Sequence, residues 1–239
     1  MKSAALAQWV QSERSSALVI NGHSSGGTKR VSGLSFLCAR LVYGLDEIRF
    51  GDKPGLDTVV RPDIVPIHFF CGQHLHNDDS ETWESPSGVI NSLLAQLVNQ
   101  VTDIDLSRSA ASKIREIDNS DIDDIFKFFR LLVRQLPSNF TVFCIVDAMT
   151  FYTNHNEVSK PARHLVKCLL KLARKSSKES KSRAIFKLLL TAPSQLRTED
   201  DDDASDSERI LNIPKILPNT GGFTAMKWNT SMGQQLEEV

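Results

Sequence analysis

The sequence predicts an α/β fold of three layers, a mainly parallel sheet of about five strands with helices on both faces. Three segments carry that prediction: LVINGHSSGGTK from Leu18 to Lys29, TVFCIVDAM from Thr141 to Met149 and FKLLLTAP from Phe186 to Pro193. Each is an apolar run too short for a free-standing helix and rich in Val, Ile, Leu and Phe. Each ends abruptly in small or polar residues, the pattern of a strand buried on both faces. The first runs into a glycine-rich loop, the second ends in the carboxylate of Asp147 and the third in Thr191. Polar chemistry therefore collects at the carboxyl ends of the strands, where open α/β sheets bind ligands.

The remaining elements follow in order. Residues 1–17 are read as an N-terminal helix. After the glycine loop, Leu34, Leu37, Cys38, Leu41, Val42 and Leu45 recur at helical spacing, with Ser32 as the cap. IVPIHFFCG from Ile64 to Gly72 is the second strand. Pro86 after Ser85 opens a helix whose apolar face includes Val89, Ile90, Leu93 and Leu97. Ser120 with Asp123 forms a capping-box-like start for another, with Ile125, Phe126, Phe129, Leu132 and Val133 inward and Pro137 as its stop. An extra helix is expected around Ser107 to Ile117. Leu165, Cys168, Leu169 and Leu172 lead to the Phe186 strand, and Ile210 to Ile216 is a weak or edge fifth strand because of Pro214.

Composition bounds the function only broadly. The chain has 239 residues, 41% of them hydrophobic, enough for a substantial core. A net charge of -1 gives no bulk attraction for nucleic acid or anionic membranes, and neither is expected as a partner. No run approaches membrane-spanning length, and the N-terminus meets Gln8, Gln11 and Glu13 too soon for a signal-peptide core. The four cysteines, Cys38, Cys71, Cys144 and Cys168, are far apart in apolar surroundings, as suits buried thiols in a reducing, cytoplasmic compartment.

FFCGQH, SPSGVINSLLAQLV, TVFCIVDAM and FKLLLTAP, in that order, resemble the P-loop NTPases of the NACHT and related STAND group. The likeness is to the NACHT-like N-terminal modules of fungal multidomain proteins. It covers roughly residues 5 to 217, so the expected organisation is a P-loop NTPase-like domain over 18–217 and a tail over 218–239. The resemblance implies the Phe186 strand between the first and third strands. It also implies a nucleotide site built from Gly22, Gly26, Gly27, Thr28, Lys29, Asp147 and Thr191, taking ATP or GTP with magnesium at Asp147.

Each element of that site departs from the working pattern. A phosphate loop reads G-x-x-x-x-G-K-[ST], with backbone N–H groups around the phosphates, the lysine on their charge and the hydroxyl on magnesium. Here Gly22 is followed after four residues by Gly27, then Thr28 and Lys29 in reverse order. One step along a helix turns a side chain by about 100 degrees, which takes Lys29 off the phosphates. Two readings stay open. One is a flexible strand-to-helix connection; the other is a shifted loop in which Lys29 acts and Ser32 or Ser35 reaches a metal.

In a hydrolysing member the metal-organising aspartate is followed three and four residues later by acids, one of which polarises water. Thr150 and Phe151 stand there, and neither takes a proton. Asp147 itself either holds magnesium through water or caps the next loop. Ala192 and Pro193 replace the polar end of the sensor strand, with Arg197 nearby in the following loop.

Two further features are weaker. Cys71, His74 and His76, with Asp78 and Asp79, invite a zinc reading, but Cys71 ends an apolar strand and lacks a C-x-x-C partner pair. Ten Lys or Arg lie between Lys160 and Lys187, and seven acids fill the ten residues from Glu199 to Glu208, expected to be a mobile loop. The altered motifs predict a degenerate, non-hydrolysing module acting as a regulatory or protein-interaction scaffold. The alternative is a nucleotide-binding switch.

Overall fold

The structure is a computed structural model that describes residues 4–22, 31–50, 63–74, 85–101, 118, 121–155, 157–178, 183–196 and 210–213. The elements are α1 (Ala4–Gln11), β1 (Ser16–Asn21), α2 (Gly33–Phe50), β2 (Asp63–Phe70), α3 (Pro86–Gln100), α4 (Ile122–Gln135), β3 (Phe140–Asp147), α5 (Thr150–Thr153), α6 (Ser159–Lys178), β4 (Ile185–Ala192) and β5 (Ile210–Asn212). The strands form one five-stranded sheet in the order β2-β3-β4-β1-β5, every pairing parallel. The Phe186 strand lies between the first and third, as expected. The expected helix around Ser107 to Ile117, the acidic stretch from Glu199 and the tail lie outside the described residues.

Alternation along the strands sorts the core into two layers. Val65, Ile67, Phe69, Val142, Cys144, Val146, Phe186, Leu188 and Leu190 face α3, α4 and α6. Leu18, Ile20, Phe143, Ile145 and Leu189 face α1 and α2. Phe129 of α4 meets Phe186 edge-on at 6.1 Å, and Trp9 of α1 meets Phe143 at 5.7 Å. The helix from residue 4 stops at Gln11, and the first strand begins at Ser16 rather than Leu18. Ser85 caps α3 ahead of Pro86, accepting from Gly88 N at 3.2 Å. Asp121 caps α4, its Oδ1 accepting from Asp123 N at 2.8 Å; the expected cap, Ser120, lies outside the described residues.

The β2 edge is closed by side chains of α3. Gln96 accepts from His68 N at 2.9 Å and donates to His68 O at 2.8 Å, a side-chain amide standing where a further strand would pair. Gln100 donates to Pro66 O at 2.7 Å, and Arg49 of α2 holds Gln100 in turn. Pro66, with no N–H to offer, is tolerated because its strand is at the edge.

Lys187 sits in the middle of β4, only 1% exposed, beneath α1. Its Nζ donates to Trp9 O at 2.7 Å and also to Ser12 O, so it satisfies carbonyls at the end of a helix, where a cation also meets the favourable end of the helix dipole. Burial pulls its pKa down from 10.5 to about 8. The unfolded chain therefore binds more protons than the folded one between those values, and stability rises with pH there. From pH 8 to 9 the Lys187 contribution should grow by about 1 kcal/mol, while the thiols of Cys38, Cys71 and Cys144, raised by burial, pull the other way as their unfolded forms ionise. Urea unfolding of the native chain and of Lys187→Met at the two pH values isolates the lysine: the variant should lose about 1 kcal/mol relative to the native chain over that step, the thiol contribution being common to both.

Candidate functional site

The carboxyl ends of β1, β3 and β4 meet at one edge of the sheet. Gly22, just past β1, donates its N–H to Ala192 O at 2.7 Å. A Cβ on Gly22 would lie 2.7 Å from Pro193 O, so glycine is required here by the close approach of two backbones. Thr191 of β4 reaches across to the end of β3. Its Oγ1 donates to Asp147 Oδ1 at 2.5 Å and accepts from Ala148 N at 3.1 Å, while its carbonyl accepts from Met149 N at 3.1 Å. Gly22, Asp147 and Thr191 are thus brought together.

The fourth contributor is the first turn of α2. Ser32 caps it, its Oγ accepting from Leu34 N and Ser35 N, both at 3.2 Å. Ser35 accepts from Ser32 N at 3.0 Å, and its hydroxyl is among the groups that favour the charged form of the Asp147 carboxyl. Cys38, one turn on, points its Sγ at Thr191 Oγ1, 4.0 Å away. Asp147 is 1% exposed, and burial pushes its pKa above the ordinary carboxylate range, opposed by hydrogen bonds from Thr191, Ser35, Ala148 N and Cys38.

Gly26, Gly27, Thr28 and Lys29 lie outside the described residues. The helix that follows begins at Gly33 behind the Ser32 cap, as its spacing predicts, and Ser35 of its first turn is the hydroxyl beside Asp147. In a phosphate loop the lysine stands directly before that hydroxyl. Here it is Leu34, 7% exposed and packed in the core with Leu18 and Ile20. The signal available in the sequence is Ser32-Gly33-Leu34-Ser35, a glycine-x-serine step with leucine in the lysine place, separated from Gly22 by a long insertion. An added Cβ at Gly33 would meet nothing within 4 Å. Among the described residues, Asp147 and Ser35 are the oxygen-bearing groups at this edge that could hold a metal, Thr191 Oγ1 being engaged by Asp147 and Ala148 N. They supply no cation for the phosphates.

The turn that follows Asp147 is packed. Thr150 opens α5 and is 5% exposed, followed by half-buried Phe151 and fully packed Tyr152. At the end of β2, Cys71 is buried with its Sγ against Met149 Sδ at 3.9 Å, and the His74 ring stacks on Phe69 at 4.4 Å. Packing occupies both; His76, Asp78 and Asp79 lie outside the described residues, as does Arg197.

Two outcomes follow from this geometry. Gly22→Ala should cost about 1–3 kcal/mol, since backbone rather than a flexible side chain must yield, and thermal unfolding would register it. Asp147→Asn should raise the urea midpoint at pH 7 by removing a buried charge. For the native carboxyl, folding favours the protonated form, so its stability is greatest below the unfolded pKa and falls as pH rises toward the folded value. The advantage of the variant should accordingly shrink on acidification.

Comparison with known proteins adds the following. No curated protein matches the chain. Among solved structures, a chain from "Structure of E. coli MS115-1 HORMA:CdnC:Trip13 complex" shares 12% identity, with 77% of this chain and 63% of that chain covered and a TM-score of 0.25. The present chain thus spans under two thirds of that relative, at a similarity that carries no structural argument. The family described as "Nephrocystin 3, N-terminal" matches residues 1–192 of the 239, and the chain belongs to it.

Proposed function

We propose that this domain, taken over residues 18–217, is a regulatory or protein-interaction scaffold of the cell interior with little or no NTP hydrolysis. The observation that carries this reading is the internal satisfaction of Asp147. Thr191 Oγ1 donates to its carboxylate and in turn receives Ala148 N and Cys38 Sγ, so the group that would organise a metal instead ties the end of β3 to β4 beside α2. Leu34 before Ser35 and the Thr150–Phe151 pair after Asp147 support it from the two other sides of the site. The four free thiols suit a reducing compartment. Phe36, Tyr43 and Phe50 of α2, exposed by 59%, 52% and 72%, recur every seven residues and give the module aromatic surface of the kind recognition uses.

A second reading, a switch that keeps ATP or GTP with magnesium, draws on Ser35 standing in the first turn of α2 beside the Asp147 carboxyl. Titration of the protein with labelled ATP and GTP, with and without magnesium, separates the two. The scaffold reading expects no magnesium-dependent hydrolysis above background. Turnover abolished by Asp147→Ala would overturn it. If the absent cation at Leu34 is the sole defect in binding, Leu34→Lys should raise nucleotide affinity about tenfold or more, the scale of one charge-assisted contact. Thermal unfolding confirms that the variant is folded.

A further inference from the structure

Away from this edge, three side chains of metal-binding type converge on the outer side of α4 and α6. His164 and Cys168 are four residues apart on α6 and so share a face. Asp123 is in the first turn of α4, where the Asp121 cap fixes the backbone that carries it. His164 Nε2 lies 2.8 Å from Asp123 Oδ1 and 3.7 Å from Cys168 Sγ, and all three donor atoms are within 4.8 Å of one another. The Asp123 and His164 side chains are 58% and 47% exposed. Cys168 is the one cysteine of the four that is not buried, so the expectation of four buried thiols fails there.

We propose that Asp123, His164 and Cys168 form a binding site for zinc or a similar divalent cation that staples α4 to α6. A surface His–Asp pair accounts for two of the three groups, and an exposed pair of that kind contributes little on its own. The thiol makes a long contact with His164 Nε2 and supplies the third, soft donor of a cation site. Zinc bonds of about 2.3 Å to sulfur and about 2.0–2.2 Å to nitrogen and oxygen imply tetrahedral edges of roughly 3.4–3.6 Å. The observed separations approach those edges with shifts of about an ångström. Thiolate, imidazole and carboxylate together suit zinc and disfavour magnesium or calcium, which take oxygen ligands. Three protein donors leave the fourth position to water. Binding replaces the proton shared by His164 and Asp123 and releases that of the thiol. The donors sit on two packed helices, which hold them better than loops would.

The test uses the full chain, stripped of metal by chelator and kept under a non-thiol reductant. Titration with cobalt(II) should saturate at one equivalent. It should give a near-ultraviolet thiolate-to-cobalt band with visible tetrahedral absorption, both erased by zinc. At a hundredfold excess of zinc over its dissociation constant, the thermal midpoint should rise by about 5–10 °C. Cys168→Ser should remove the near-ultraviolet band, and His164→Asn or Asp123→Asn should weaken binding at least tenfold, with the metal-free midpoints of the last two nearly unchanged because those two positions are exposed. No cobalt spectrum from the native chain would overturn the proposal. So would a Cys168→Ser variant that keeps both the band and the zinc-induced shift, since the thiolate would then belong elsewhere.

Discussion

The placement of β4 between β1 and β3 is the constraint on which the rest of the domain depends. A parallel strand with neighbours on both sides is buried on both faces, and β4 accordingly runs through seven buried residues from Phe186 to Ala192. Its final residues then lie within hydrogen-bonding distance of both neighbouring strand ends. Thr191 fixes the turn after β3, and Ala192 O receives Gly22 N after β1. The edge where ligands gather in this fold class is therefore a product of strand order, not of the loops that decorate it.

The same central strand contains the least expected residue of the core. Lys187 lies in register with Ser16 of β1 and Phe143 of β3, where an apolar side chain would pack without cost. Its charge is tolerable only because α1 ends above it and turns carbonyls toward its Nζ. A short eight-residue helix has little independent stability. Leu6, Trp9 and Val10 supply its apolar anchorage, and the lysine completes it by satisfying the carbonyls the helix leaves open. One buried cation thus explains both why α1 stops where it does and why it belongs to the sheet's own layer.

The sheet was legible in the sequence because double burial leaves a strong mark: TVFCIV and FKLLLTA have almost no polar residue to dilute the pattern. Asp147 and Thr191 were legible for the converse reason, as the first polar groups after such runs. The start of α2 was legible too, from Ser32 and the apolar spacing that follows it. The glycine motif gave Ser35 only a secondary place, because its fixed spacing runs from Gly22 to Lys29. Leu34 gave no signal of its own, since a leucine in the first turn of an apolar helix reads as core, which it also is. The Asp123–His164–Cys168 cluster was invisible for a different reason. Two of its members are near in sequence, but the third arrives only through the packing of α4 against α6.

Ala148 shows what the site still costs. Its φ of 58° places a non-glycine residue in the left-handed region, at roughly 1–2 kcal/mol. That turn aims Ala148 N and Met149 N at the side chain and carbonyl of Thr191, so the strain is offset by two buried hydrogen bonds on one residue. It also leads Thr150, Phe151 and Tyr152 directly into α5, with buried Thr150 and half-buried Phe151 at the two positions where the resembled hydrolysing members carry acids. Strain of this kind is ordinarily associated with catalytic or switching geometry. Here it holds a turn whose polar groups face one another, and those contacts join the ends of β3 and β4 at the edge of the sheet.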